Sequence, residues 1–104
     1  MTLYLAARSR SRAPTHPGML IAEGIAALDK SKAEVARLLG ISRQHLYDIV
    51  NETKPVSPSV AARLGKLFGD GTEIWLRMQA AHDAWYADHS VDVSGIPTLT
   101  LPPR

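Results

Sequence analysis

The stretch from Ser31 to Asn51, SKAEVARLLGISRQHLYDIVN, constrains this chain more than any other. Ser31 followed three residues later by Glu34 makes a capping box, and Val35, Leu38 and Leu39 lay one apolar stripe along a helix of about eight residues. Gly40 is placed to end that helix in the left-handed conformation, and Ile41 plugs the corner. Ser42 then caps a second short helix, in which Leu46, Ile49 and Val50 form the stripe. Two amphipathic rods of this length on a tight glycine turn make a helix-turn-helix.

The second rod has a polar face as well as an apolar one. Arg43, Gln44, Tyr47, Asp48 and Asn51 project away from the stripe, and all five are able to hydrogen-bond base edges or phosphates. Two readings stay open: a face that enters the major groove of DNA, or the solvated side of a helical hairpin that touches only protein. Charge leans toward DNA. Up to Lys54 the chain carries eight Lys or Arg against five acids, and beyond it four against five, so the basic excess accompanies the helix pair.

The 104 residues suffice for one small domain and its core. Residues 1–15 read as a basic N-terminal arm, in which LYLAA is a short strand and Arg8, Arg10 and Arg12 alternate with small residues; it is either disordered or ordered along phosphates or a protein partner. Residues 16–89 form the folded domain. Pro17 opens its first helix, with Ile21, Ile25 and Leu28 on the inner face. After the helix-turn-helix comes a loop carrying Lys54, and Ser57 with Pro58 launches a fourth helix that Val60, Ala61, Leu64, Leu67 and Phe68 turn inward.

Thr72 is placed to cap the fifth and longest helix. Ile74, Met78, Ala81 and Trp85 hold one seam of it, while Trp75, His82 and Tyr86 line the next. Each large aromatic buries about 150 to 250 Å², roughly 4 to 6 kcal/mol as an upper bound, and so small a domain has little room for all of them. This helix is read as a homodimer interface of Ile74, Trp75, Met78, His82, Trp85 and Tyr86. The alternative, that it closes the monomer core, stays open, and different turns of one helix can do each. Residues 90–104 read as an extended tail with one or two brief strands.

Several function classes drop out. With no cysteine there are no disulfides and no thiolate metal sites. No apolar run approaches the roughly 18 to 20 residues that span a bilayer, and MTLYLAARSRSR has its charges after its apolar patch, the reverse of a secretory signal, so a cytoplasmic chain without a membrane partner is expected. His16, His45, His82 and His89 lack ligand-spaced companions, and His82 with Asp83 and His89 with Asp88 read as surface pairs. No glycine-rich phosphate loop is present, and the serines are accounted for as caps. The expectation is a non-enzyme with no catalytic residue, metal, cofactor or small-molecule substrate.

Four segments together carry a resemblance: HPGMLIAEGI, LLGISRQHLYDIVN, PVSPSVAARLGKLFG and TEIWLRMQAAHDAW. From about His16 to Trp85 the chain resembles HigA-type antitoxins of the Xre-like helix-turn-helix superfamily. The helix-turn-helix alone points to the superfamily, and the HPG start with the W-L-x-M-Q opening of the fifth helix narrows it. The resemblance implies an all-α, five-helix, lambda-repressor-like domain with short extended tails. It also implies a homodimer on a palindromic double-stranded operator in its own promoter, and a RelE-like mRNA-cleaving toxin as protein partner. By residue it implies base contacts from Arg43, Gln44, Tyr47 and Asp48, and phosphate contacts from Ser31, Lys32, Ser42, Asn51 and Lys54. Asp48 either accepts from a cytosine amino group or orients Arg43 or Gln44 one turn away. One departure is Glu52, where the family usually has glycine, so Asn51 is expected to supply the left-handed turn. A stand-alone phage-type repressor, and a helix-turn-helix used only for protein docking, are the competing readings.

Overall fold

The computed structural model describes residues 13–102. The strand expected in LYLAA and the arginine-rich part of the arm lie outside the described residues. Five helices follow in order: α1 Pro17–Leu28, α2 Lys32–Leu39, α3 Arg43–Val50, α4 Pro58–Phe68 and α5 Thr72–Ser90. Among the described residues there is no strand.

Local chemistry sets most boundaries. Ser31, Ser42 and Ser57 each accept a first-turn amide with Oγ, from Glu34 at 3.1 Å, His45 at 3.0 Å and Val60 at 3.2 Å. The capping box at Ser31 is only half formed, because the Glu34 carboxylate lies between Lys30 at 3.7 Å and Arg37 at 3.6 Å. Gly40, at φ 75°, closes α2 as expected. Its amide donates to Arg37 O and that of Ile41 to Ala36 O, both at 3.1 Å, the paired bonds of a Schellman cap. Arg63 Nη1 adds a 2.8 Å bond to the Leu39 carbonyl, fastening α4 to the end of α2.

Two boundaries depart from expectation. Asn51 stays at φ −83°, and Glu52 itself takes the left-handed conformation at φ 65°. The amides of Glu52 and Thr53 donate to Ile49 O at 3.0 Å and Asp48 O at 2.8 Å, so α3 ends in the same paired-bond cap as α2, with glutamate in the glycine position. Thr72 does not cap α5: the helix begins at Thr72, and Gly71, at φ 84°, occupies the cap position with no side-chain bond. Backbone contact dictates this corner. A Cβ on Gly65 would lie 2.3 Å from Gly71 C and 2.7 Å from Thr72 N, so the chain crosses directly over α4 and enters the helix at once.

The core joins Ile21 and Ile25 of α1, Val35, Ala36 and Leu39 of α2, and Leu46 and Ile49 of α3 with Val56, Val60, Ala61, Leu64 and Trp75. Leu28 and Leu38, placed inside by periodicity, are exposed instead: the inward face of α2 runs through Val35, Ala36 and Leu39 and leaves Leu38 at its edge, and among the described residues nothing covers Leu28 at the last position of α1. The last turns of α5 and the tail stand off the body, and the radius of gyration, 16.9 Å, exceeds the roughly 13 Å of a compact chain this long. Val91, Val93, Ile96, Leu99 and Leu101 of the tail are exposed. The brief strands expected there are not formed, since an extended segment needs another backbone to pair with.

Candidate nucleic-acid interface

The sequence HPG sets the docking of α1 on α3. Pro17 fills the first helical turn, and His16, 5 % exposed, caps it by accepting the Gly18 amide on Nδ1 at 2.9 Å. Gly18 faces the end of α3 so closely that a Cβ there would fall 2.2 Å from the Ile49 carbonyl oxygen. Burial, then the neighbouring His82, holds the His16 imidazole below its usual pKa, against smaller opposing effects of Glu52 and Asp83. Accepting the cap bond requires the same neutral form. The His82 ring lies edge-on to His16, with centroids 4.8 Å apart.

Held this way, α3 turns Leu46 and Ile49 into the core and leaves Arg43, Gln44, Tyr47 and Asn51 exposed. Gln44 is not free to wander: its Nε2 donates to Asp48 Oδ1 at 2.9 Å, while Lys54 Nζ lies 3.6 Å from Asp48 Oδ2. Asp48 thus holds the Gln44 amide, and among the described residues it has no bond to Arg43. Among the described residues Arg43 makes no ion pair.

Two of the expected phosphate ligands, Lys32 and Lys54, lie beside side chains of α3. Lys32 Nζ lies 5.7 Å from the centre of the Tyr47 ring, which ties the start of α2 to the outer side of α3. Ser31 and Ser42 sit at two helix N-termini, where the aligned peptide dipoles favour an anion, and each hydroxyl keeps its own proton to donate while accepting its cap bond.

The residues expected at a subunit interface divide. Trp75, 4 % exposed, belongs to the monomer core, stacked obliquely on Phe68 at 5.7 Å with its indole N–H donating to Asp70 at 2.8 Å. Met78 packs on the same core and His82 is half-buried against His16. Ile74 and Tyr86 remain exposed, and Trp85, half-buried, stacks on His89 with centroids 3.9 Å apart. The paired His89 and Asp88 of the sequence reading is therefore replaced by His89 on Trp85, whose carbonyl also lies 2.8 Å from His89 Nδ1. His82 does keep Asp83 beside it, at 3.5 Å.

Sequence reasoning passed over the His16 cap, the Arg63 clasp and Gln79. The signal for Gln79 was present, since it lies four residues after Trp75 on the inner side of α5, where an amide has no business unless something buried needs it.

Comparison with known proteins agrees with this geometry. A helix-turn-helix family model, HTH_3, matches residues 21–76, which takes in the whole of α2 and α3. The HTH-type transcriptional regulator YbaQ of Escherichia coli K12, itself uncharacterized, is 32% identical over 85 residues, covering 81% of this chain and 75% of its own. An addiction module antidote protein of the HigA family from Coxiella burnetii superposes with a TM-score of 0.76 at 30% identity, over 86% of this chain and 100% of that one. PA4674 of Pseudomonas aeruginosa, solved with its 18 bp operator DNA, superposes at 0.74 with 30% identity, over 86% and 100%. Among the described residues no helix is long and apolar enough to cross a membrane. The chain thus belongs to the HTH_3 family of helix-turn-helix DNA-binding regulators, in the Xre-like group that includes the HigA-type antitoxins.

Proposed function

We propose that this protein acts in the cytoplasm as a homodimer that reads a palindromic operator in its own promoter and neutralises a RelE-like, mRNA-cleaving toxin. The observation that carries the DNA half is the exposed face of α3, on which Gln44 is already held by Asp48 before any base arrives. Its Pseudomonas relative was solved with operator DNA on the same fold. Arg43 to guanine and Gln44 to adenine are the favoured bidentate pairs, each contributing about 1 to 3 kcal/mol of discrimination. A single small head binds weakly, so two heads about 34 Å apart, one turn of the duplex, supply useful affinity. The exposed Ile74 and Tyr86 of α5, with the apolar tail, are the surface proposed to join the two copies.

The toxin half rests on the HigA-family relatives. A second reading is a stand-alone repressor with no toxin, and the relative YbaQ bears on it only through its name as an HTH-type transcriptional regulator. Co-expression with the product of the adjacent reading frame, followed by co-purification, separates them: a stable complex supports the antitoxin, and a neighbour that neither binds nor poisons the cell overturns it. For DNA, Arg43→Ala with Gln44→Ala should weaken binding to the promoter duplex at fixed salt by about 5- to 150-fold per contact. Unchanged binding would refute the assignment of α3 as the reading helix.

A further inference from the structure

Between α3 and α4 the chain runs through an exposed loop that holds Lys54, and its position is fixed at two points. At one end, the carbonyl of Asp48 accepts the amides of Thr53 at 2.8 Å and Lys54 at 3.1 Å together with the Thr53 hydroxyl at 3.0 Å. At the other, the buried amide of Val56 donates to Oε1 of Gln79 on α5 at 2.7 Å, a bond between residues 23 positions apart. Gln79 is itself 6 % exposed, and its Nε2 donates onward to Asp83 Oδ1 at 2.9 Å.

The amide side chain of Gln79 answers both demands. It offers an acceptor to a buried N–H and a donor to a carboxylate at once. A hydrocarbon of the same length would leave the Val56 amide unsatisfied inside the protein, and a carboxylate would set a second negative charge beside Asp83. The fixed points run in series from α5 to the reading face: Gln79 to Val56, two residues back to Lys54, Lys54 to Asp48, and Asp48 to Gln44.

From this juxtaposition we infer that Gln79 is a positioning residue for DNA recognition, which holds the α3–α4 loop so that Lys54 meets a phosphate beside the base-reading face. The inference rests on α3 being the helix in the groove. Gln79 touches no DNA; it acts through Val56 and the loop.

Salt dependence separates this role from a purely structural one. Each phosphate neutralised on duplex DNA contributes about 0.9 to the slope of log K against log salt, so losing one contact in each head of a dimer flattens the slope by about 2. Binding of the full chain to a duplex from its own promoter is measured by fluorescence anisotropy between 50 and 200 mM salt, at a temperature where circular dichroism shows every variant folded. Gln79→Met and Lys54→Ala should each shrink the affinity lost over that salt range by about tenfold. The double variant should shrink it no further. Gln79→Glu combined with Asp83→Asn, which reverses the donor and acceptor roles but keeps the Val56 bond, should restore the wild-type slope.

A Gln79→Met slope equal to wild type overturns the inference, as does a double variant that loses twice the slope of either single one. If Arg43→Ala with Gln44→Ala also leaves binding intact, the reading of α3 falls and takes this inference with it. If that pair abolishes binding while Gln79→Met behaves as wild type, only the role of Gln79 falls.

Discussion

Gly18→Ala sets local preference against tertiary geometry with opposite signs. Gly18 lies in the first turn of α1, and by helix propensity alone alanine is better there by roughly 0.5 to 1 kcal/mol. The added methyl, however, would sit 2.2 Å from the Ile49 carbonyl oxygen, 3.0 Å from that of Val50 and 3.1 Å from His16 Nδ1. Two of these three are backbone atoms at the end of α3, so no side-chain rotation relieves the contact, and either α1 lifts away or α3 shifts. Overpacking of a built core costs about 1 to 3 kcal/mol where side chains can adjust. With backbone on the opposing side the expected net loss is at the upper end, about 3 kcal/mol, and larger if the His16 cap is lost as well. For a domain near 100 residues that is a fall in Tm of roughly 12 to 24 °C. Urea unfolding followed by circular dichroism measures it directly. Gly24→Ala is the internal comparison: its methyl would meet the Phe68 ring at 2.7 Å, a half-buried side chain that can swing, so the cost should be clearly smaller. A Gly18→Ala protein as stable as wild type, or more so, would refute the close docking of α1 on α3.

Glu52→Gly should stabilise the fold by about 0.5 to 1 kcal/mol, because left-handed strain of roughly 1 to 2 kcal/mol is relieved at the cost of a more flexible unfolded chain; a lower urea midpoint would count against the cap described for α3. His16 is held neutral in the fold with its pKa below the unfolded value near 6.5, so the unfolded chain binds more protons there as pH falls. Stability from this group is therefore fully present above about 6.5 and is lost as pH falls from there toward the lowered folded value. His16→Asn, which caps without titrating, should flatten that part of a stability profile. Trp75→Ala should cost about 3 to 5 kcal/mol in unfolding experiments, as for a core aromatic. Tyr86→Ala should leave stability within about 0.5 kcal/mol and lower the mass in sedimentation at micromolar concentration. An unaltered mass would remove the end of α5 from the interface.

What the sequence by itself determined was most of what closes over short range, although the His16 cap and the Glu52 bend, equally local, were not legible there. Ser31, Ser42, Ser57 and Gly40 stop and start their helices through bonds to residues at most a turn away, and the stripes of α2, α3 and α4 follow from the helical repeat. The reading face was legible for the same reason: once Leu46 and Ile49 face inward, Arg43, Gln44 and Tyr47 have nowhere to go but out. Tertiary structure alone decided which parts of α5 are covered. Trp75 and Tyr86 are both aromatic and lie on the same predicted seam, yet α4 arrives to bury one, and among the described residues no other element covers the second. It also decided that Gly18 is required by a carbonyl from another helix and that Gln79 serves an amide 23 positions away. Burial and long-range hydrogen bonds depend on which distant segment comes near, and no periodicity within one helix encodes that.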